Sequence, residues 1–301
     1  MSPLTEIHPV QRLPPHPGRL GEGGLRLNTA DTGKPWLSVV TIALNPGDLL
    51  LPTMKSVFRW PATEVEYIVV DGGSTDATRE ILRENAQRLE YWVSEPDHGI
   101  SDAFNKGVSL CRGEVIGLIN AGDWYEADAL ERIRGLFQEH PDTGIVCGGL
   151  QFWDGNTPAY RCDSEPALLH REMSVTHPTC FVRRQLYLEY GGFSREYRLA
   201  MDYELLLRLR KEGVTFVSTR AVLANMIHDG LAEQNWQAAL KETHQARQQY
   251  LPGSVYASPV YLAWLIGRKR IRFILESLGL EAVVRLYRER FAAVQKVRAE
   301  E

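Results

Sequence analysis

Val69-Val70-Asp71-Gly72-Gly73-Ser74-Thr75-Asp76-Ala77-Thr78 is the stretch on which the fold turns. An apolar, β-branched run from Val65 to Val70 leads into it, and a helical stripe of Ile81, Leu82 and Leu89 leads out. A short apolar run stopped by glycine reads as a buried strand. The glycines supply the turn, and Ser74 or Thr75 is placed to cap the helix that follows. Strand, turn and helix in that order are the unit of an α/β sheet.

The neighbouring segments repeat the pattern. Trp36 to Leu44 reads as a strand closed by Asn45-Pro46-Gly47, and Asp48 to Trp60 carries apolar residues at helical spacing. Tyr91 to Ser94 is a third strand, Ser101 to Leu110 a helix and Glu114 to Ile119 a fourth strand. Asp128 to Glu139 reads as a helix and Gly144 to Phe152 as a strand. Thr179 to Val182 and Val214 to Ser218 read as strands and Asp202 to Lys211 as a helix, and after about Trp236 the pattern is helical only. Strands alternating with helices imply an α/β fold with a mostly parallel central sheet flanked by helices.

In such sheets, ligands bind beyond the C-terminal ends of the strands. The residues standing there are Asn45, Asp71, Glu95 to Asp97, and Asn120 to Asp123. Three of these four ends carry carboxylates, which fits a metal or sugar-nucleotide site better than a phosphate loop. Neither G-x-x-x-x-G-K-[ST] nor G-x-G-x-x-G occurs, against P-loop and dinucleotide readings. Asp97 and Asp102 flank a helix start, where acids are at home, and Asn105-Lys106 add donors one turn on. Asp123 closes a strand where a hard cation could share a carboxylate with phosphate oxygens and water.

Composition bounds the rest. The 44% hydrophobic and 24% charged content excludes a wholly disordered, collagenous or multi-spanning membrane protein. A net charge of -4 gives no bulk electrostatic case for nucleic acid. Residues 1–34, rich in Pro and Gly, are expected to form a flexible leader, 35–235 the main domain and 236–301 a helical extension. That extension is basic: from residue 250 on, nine Lys/Arg stand against five Glu. There is no secretory h-region and no apolar run of the ~18 residues that span a bilayer. Cys111, Cys147, Cys162 and Cys180 form no C-x-x-C pair, and read as reduced thiols in a cytoplasmic protein.

Five segments in order resemble the family 2 glycosyltransferases, which have the GT-A fold: SVVTIALN at 38–45, VVDGGSTDAT at 69–78, SEPDHGISDAFNKG at 94–107, LINAGDWY at 118–125 and LAMDYELLLRL at 199–209. The resemblance runs from about Trp36 to Ala232 and looks like the colanic-acid and exopolysaccharide type, with N-x-G-D in place of D-x-D. It implies a donor-nucleotide site formed by Asn45, Asp71, Asp97, Asp102, Asn105, Lys106 and Asn120. It implies metal ligation by Asp123, with Mn²⁺ or Mg²⁺ as cofactor, and a late histidine, His228, as a candidate second ligand. Asp202 matches the general base; Met201 stands where many members have another acid. His177 and Arg183 resemble a segment near the acceptor or donor sugar.

The function so implied is inverting transfer from a nucleoside-diphosphate sugar to a glycan or polyprenyl-linked acceptor in surface polysaccharide biosynthesis. The missing acids at Asn120 and Gly122 raise an alternative, a nucleotide-binding scaffold without catalysis. A nucleotidyltransferase would need a glycine-rich basic loop after the first strand, which Asn45-Pro46-Gly47-Asp48 does not provide. Aromatic residues beside Arg268, Lys269, Arg270 and Arg272 suit peripheral contact with an anionic membrane, at the inner face of the cytoplasmic membrane.

Overall fold

The structure is a computed structural model that describes residues 5–28, 33–227, 235–280 and 296–298. In chain order the elements begin with β1 (Gly21–Gly23), β2 (Leu37–Ala43), α1 (Leu50–Val57), β3 (Val65–Asp71), α2 (Thr78–Glu84) and β4 (Tyr91–Ser94). Next come α3 (Ile100–Leu110), β5 (Val115–Asn120), β6 (Trp124–Tyr125), α4 (Ala129–Glu139), β7 (Ile145–Asp154) and β8 (Thr157–Cys162). The described chain ends with β9 (Phe181–Arg183), α5 (Arg184–Tyr190), α6 (Met201–Lys211), β10 (Phe216–Ile227), α7 (Trp236–Tyr250), α8 (Pro259–Ser277) and β11 (Lys296–Arg298).

These strands form one sheet in the order β1-β4-β3-β2-β5-β9-β7-β10-β6, with β8 on β7 and β11 on β8. The expected parallel part is β4-β3-β2-β5, whose strands are joined through helices, as parallel neighbours require. Beyond β5 the sheet is mixed: β9 runs antiparallel to β5 and β7, while β10 is parallel to β7. The β7–β8 hairpin turns at Gly155, whose φ is 56°. β8 escapes sequence reading because its residues are mostly exposed or half-buried and lack apolar alternation.

Each central strand is buried on both faces, and its side chains sort by parity. Val39, Tyr67 and Val69 face one core with residues of α1, α2 and α4, whereas Val40, Ile68 and Val70 face another with residues of α3, α6 and α7. Two-sided burial explains the continuous apolar runs in the sequence. α3 lies so close to β2 that a Cβ on Gly107 would stand 2.3 Å from Val40, so only glycine fits at that point of the helix.

Two sequence expectations are corrected. The first 34 residues are not a free leader over their described part. Ile7 and Leu13 enter the core, the Val10 N–H donates to Ser109 O at 2.9 Å, and β1 pairs antiparallel with the edge strand β4. Composition misleads here because proline favours extended chain, and extended chain is what an open sheet edge accepts. The arm is also pinned by charge: Arg26 meets Glu66 at 2.9 Å and Glu90 at 3.1 Å, and Arg112 meets the same two carboxylates. The second correction is at the other end, where the tail is not helical only, since β11 returns to pair with β8.

The four cysteines are free and buried. Among the described residues no helix is long and apolar enough to cross a membrane.

Replacing Arg26 with Met should leave Glu66 and Glu90, both nearly fully buried, without one of the guanidinium groups that pair them. A loss of about 3 kcal/mol of unfolding free energy is expected for breaking a buried pair in this way, and urea titration would measure it. A change within experimental scatter would mean that the arm does not hold the fold.

Candidate active site

The C-terminal ends of the parallel strands stand in register. Asn120 pairs with Ile42, Ala43 with Asp71, and Asp71 with Ser94. At a strand spacing of about 4.8 Å, β4 to β5 spans roughly 14 Å, a ledge long enough for a nucleotide and its phosphates.

Asp71 is fully buried at the centre of this ledge. The Ser74 N–H donates to its Oδ2 at 3.0 Å, the Ser94 hydroxyl donates to the same oxygen at 2.5 Å, and the Ser74 hydroxyl donates to Oδ1. Asn45 extends the brace. Its N–H donates to Ser74 Oγ at 2.7 Å, and its Oδ1 accepts the Thr75 N–H at 2.8 Å. Asn45 holds a left-handed φ of 51°, which asparagine tolerates better than most residues. Asp97 is the neighbouring acid. A Cβ on Gly72 would lie 2.5 Å from its Oδ2, while its Oδ1 accepts the Gly99 N–H at 2.8 Å. Glycine at 72 is thus what admits the Asp97 carboxylate.

Asp102 is buried in the first turn of α3 and pairs with Arg195, and its Oδ2 accepts the His98 N–H at 3.2 Å. Lys106 stands 3.7 Å from that oxygen and 2.9 Å from Glu95, and Arg19 of the N-terminal arm takes the other oxygen of Glu95 at 2.8 Å. Lys106 is therefore held by acids, and Glu95 lies below the usual carboxylate range because Lys106 and Arg19 outweigh its burial.

Asp123 is treated differently. It is 6% exposed, its Oδ2 has no hydrogen-bond partner, and burial lifts its carboxyl to about 7, Asn120 opposing the shift. The loop that carries it is fixed from beneath. The Gly122 N–H donates to Thr53 Oγ1 at 2.9 Å and the Tyr125 N–H to Ser56 Oγ at 3.2 Å. A lone buried carboxylate oxygen without a donor is costly and is the kind of ligand a hard cation takes. Among the described residues no three His, Cys, Asp or Glu side chains gather to hold a metal by themselves.

Asp202 occupies the first turn of α6, where the Tyr203 N–H donates to its Oδ1 at 2.7 Å. Burial raises its carboxyl above the ordinary range, and the nearby His177 pulls it back. His177 is itself lowered by burial, with its ring 5.3 Å from that of Phe104 on α3. The turn before Asp202 is clamped from α7: Glu242 Oε2 accepts the N–H groups of Leu199 at 2.8 Å and Ala200 at 2.9 Å.

Two expected site residues are placed elsewhere in role. Asn105 exchanges both amide groups with Phe193, donating to its carbonyl and accepting its N–H, each at 2.8 Å. It staples a loop and is not available to a nucleotide. Arg183 pairs in register with Val115, at the start of β5 and so at the opposite sheet edge from Asn120. There it meets Glu114 and donates to the carbonyls of Thr143 and Pro141. His228 lies outside the described residues. Sequence reading missed Glu242, Arg195 and Arg19, because a clamp made by a distant element leaves no local spacing to read.

A parallel ledge of acids, with one unsatisfied carboxylate at the end of β5, defines a GT-A-type transferase. The model of the family "Glycosyl transferase family 2" matches residues 38–199, and the chain belongs to that family; it is a glycosyltransferase. A PGL/p-HBAD biosynthesis glycosyltransferase from Mycobacterium bovis is 28% identical over 213 residues, 69% of this chain and 80% of that protein. Among solved structures, the mannosyltransferase PcManGT from Pyrobaculum calidifontis, in complex with GDP-Man and Mn²⁺, superposes with a TM-score of 0.59 at 17% identity, covering 85% of this chain and 82% of that one. TarS 1-349 from S. aureus in complex with UDP-GlcNAc gives 0.56 at 15% identity, covering 70% and 66%.

Asp123 binds its proton more tightly folded than unfolded. Its contribution to stability is present below the ordinary carboxyl range and is lost as pH rises through about 7. Asp123→Asn should therefore be more stable than the parent at pH 8 without added metal, by about 1–3 kcal/mol, and the gap should close toward pH 4. Equal denaturation midpoints at pH 8 would place the carboxylate in contact with water.

Proposed function

We propose that the protein is an inverting glycosyltransferase that moves sugar from a nucleoside-diphosphate sugar to a hydroxyl of a glycan or polyprenyl-linked acceptor. Its setting would be surface polysaccharide biosynthesis of the exopolysaccharide type, in the cytoplasm at the inner face of the membrane. The observation that carries the reading is the unpartnered Asp123 oxygen just beyond β5, at one end of the ledge that has the braced Asp71 at its centre. The complexes of neighbouring folds with GDP-Man and Mn²⁺ and with UDP-GlcNAc support a nucleotide sugar as donor.

In this reading Asn45, Asp71 and Asp97 shape the nucleoside end of the ledge. Asp71 acts chiefly by holding the loop, since both its oxygens are already engaged. Asp102 and Lys106 stand on the same side, in a charge network that keeps the start of α3 rigid. Asp123, with Asn120 beside it, would hold a divalent cation, Mn²⁺ or Mg²⁺, with the donor diphosphate. That cation, when bound, neutralises charge developing on the leaving group. His228 remains a candidate second ligand.

Asp202 is the proposed base. It would take the proton from the acceptor hydroxyl as that oxygen attacks the anomeric carbon and the nucleoside diphosphate leaves from the opposite face. A single displacement inverts the centre and needs no second carboxylate nucleophile. Burial favours the role, since a carboxylate raised above its ordinary range is a stronger base, and His177 opposes the rise. The Glu242 clamp fixes the turn that presents it.

Asp202→Asn should lower transfer by roughly 10²- to 10⁴-fold, the usual worth of a positioned base, while nucleotide affinity stays nearly that of the parent. Turnover at the parent rate would remove Asp202 from the chemistry, whereas a parent protein that binds nucleotide without transferring sugar would favour the scaffold alternative. Asp123→Asn should abolish the gain in nucleoside-diphosphate affinity on adding Mn²⁺, read by calorimetry. For the parent, that gain should shrink as pH falls below about 7, where the cation must displace a proton. An affinity indifferent to EDTA in the parent would refute the metal role.

A further inference from the structure

We infer that the outward face of α8 is a docking surface for an anionic lipid bilayer, on which the helix lies flat. This rests on no feature of the transfer reaction and gives the proposed membrane contact a defined face.

The helix has two apolar sides. One faces inward: Leu265 is buried, the Tyr261 ring lies under Arg247 at 5.6 Å, and Phe273, though 38% exposed, meets Trp236 of α7 at 5.7 Å. The other points away from the protein. Val260 is 78% exposed, Trp264 46%, Ile271 60% and Ile274 57%, and Leu278 at the C-cap is 66% exposed. At about 100° per residue these five fall within roughly 80° of arc, opposite Leu265. Gly267 completes the spacing between Trp264 and Ile271. An isolated exposed leucine needs no explanation, but a continuous stripe over about five turns does.

The charges beside the stripe choose its occupant. Arg268 and Arg270 fall on either flank, each about 80° from the centre line, where long side chains reach lipid phosphates while their stems lie on apolar surface. Arg268 stands 4.8 Å over the Trp264 ring. The only acid of the helix is Glu276, which Arg272 holds at 2.8 Å on the inward side. The helix thus carries four cations against one paired carboxylate. A second copy of the same helix would set cation against cation, whereas an anionic surface complements both the stripe and its flanks. Tryptophan within the stripe suits the headgroup level. Through α7 the docked helix is joined to the Glu242 clamp and so to the turn that carries Asp202.

The test is co-sedimentation of the purified full chain with vesicles of phosphatidylcholine alone or mixed with phosphatidylglycerol, without acceptor or nucleotide sugar. Binding is thereby read independently of whether transfer occurs. The protein should partition to the mixed vesicles, at least tenfold more than to neutral ones by the order of magnitude expected for two or more basic residues at a charged surface, with a blue shift of tryptophan fluorescence. The paired changes W264S and I271S, and separately R268Q and R270Q, should each lower partition on the order of tenfold. All four positions lie on the outward face or its flanks, and unchanged circular dichroism and donor binding would show that the variants fold. Parent protein that stays in the supernatant at low salt, or stripe variants that bind as well as the parent, would overturn the inference. So would a concentration-dependent dimer abolished by W264S and I271S, which would assign the stripe to a second copy.

Discussion

A carboxylate with no exposed surface holds the ledge together. Asp71 ends β3 and accepts hydrogen bonds from its own turn through Ser74 and from the end of β4 through Ser94. Ser74 in turn receives the N–H of Asn45 beyond β2. Three neighbouring strand ends are thereby locked to one group. Burying an acid is unfavourable unless its oxygens are satisfied, and satisfying them fixes the backbone of three loops at once. The positions of Asp97, of the start of α3 and of the ledge as a whole follow from that arrangement.

Against this background the acids of the site fall into two physical kinds. Asp71, Asp102 and Glu95 are surrounded by donors or cations and complete the structure. Asp123 is buried and Asp202 half-buried, each with fewer compensations, and both are raised above the ordinary carboxyl range. Perturbed groups that the fold leaves incompletely satisfied are where chemistry concentrates. The division separates framework from function without appeal to the spacing of the residues along the chain.

The parallel half of the sheet was legible because two-sided burial writes itself as unbroken apolar runs, and because the polar stops of β2, β3 and β5 mark the ledge. The mixed half was less so: β8 has no alternation to read, and the two-residue β6 is too short to leave a pattern. Among the candidate site residues, Asp71 ends β3, Asp123 follows β5 and Asp202 opens α6, near the element ends at which the sequence places them. Asn105 and Arg183 share the residue chemistry of binding groups but are spent on backbone, Asn105 on Phe193 and Arg183 on Thr143 and Pro141. Residue type tells what a side chain can bind; only its neighbours tell whether it is already bound. The N-terminal arm makes the same point for backbone, since proline-rich extended chain packs on an open edge as readily as it stays in solvent.

The Glu242 clamp changes what counts as one unit in this molecule. A boundary drawn by composition at residue 235 would assign α7 to a removable tail. Yet that helix supplies the carboxylate that ties down Leu199 and Ala200, and its Tyr250 donates to Glu204 of α6 at 2.6 Å. For a chimaera that exchanges the tail for that of a relative, the seam belongs after Tyr250: a graft can then replace α8 without loosening the turn on which the proposed base sits.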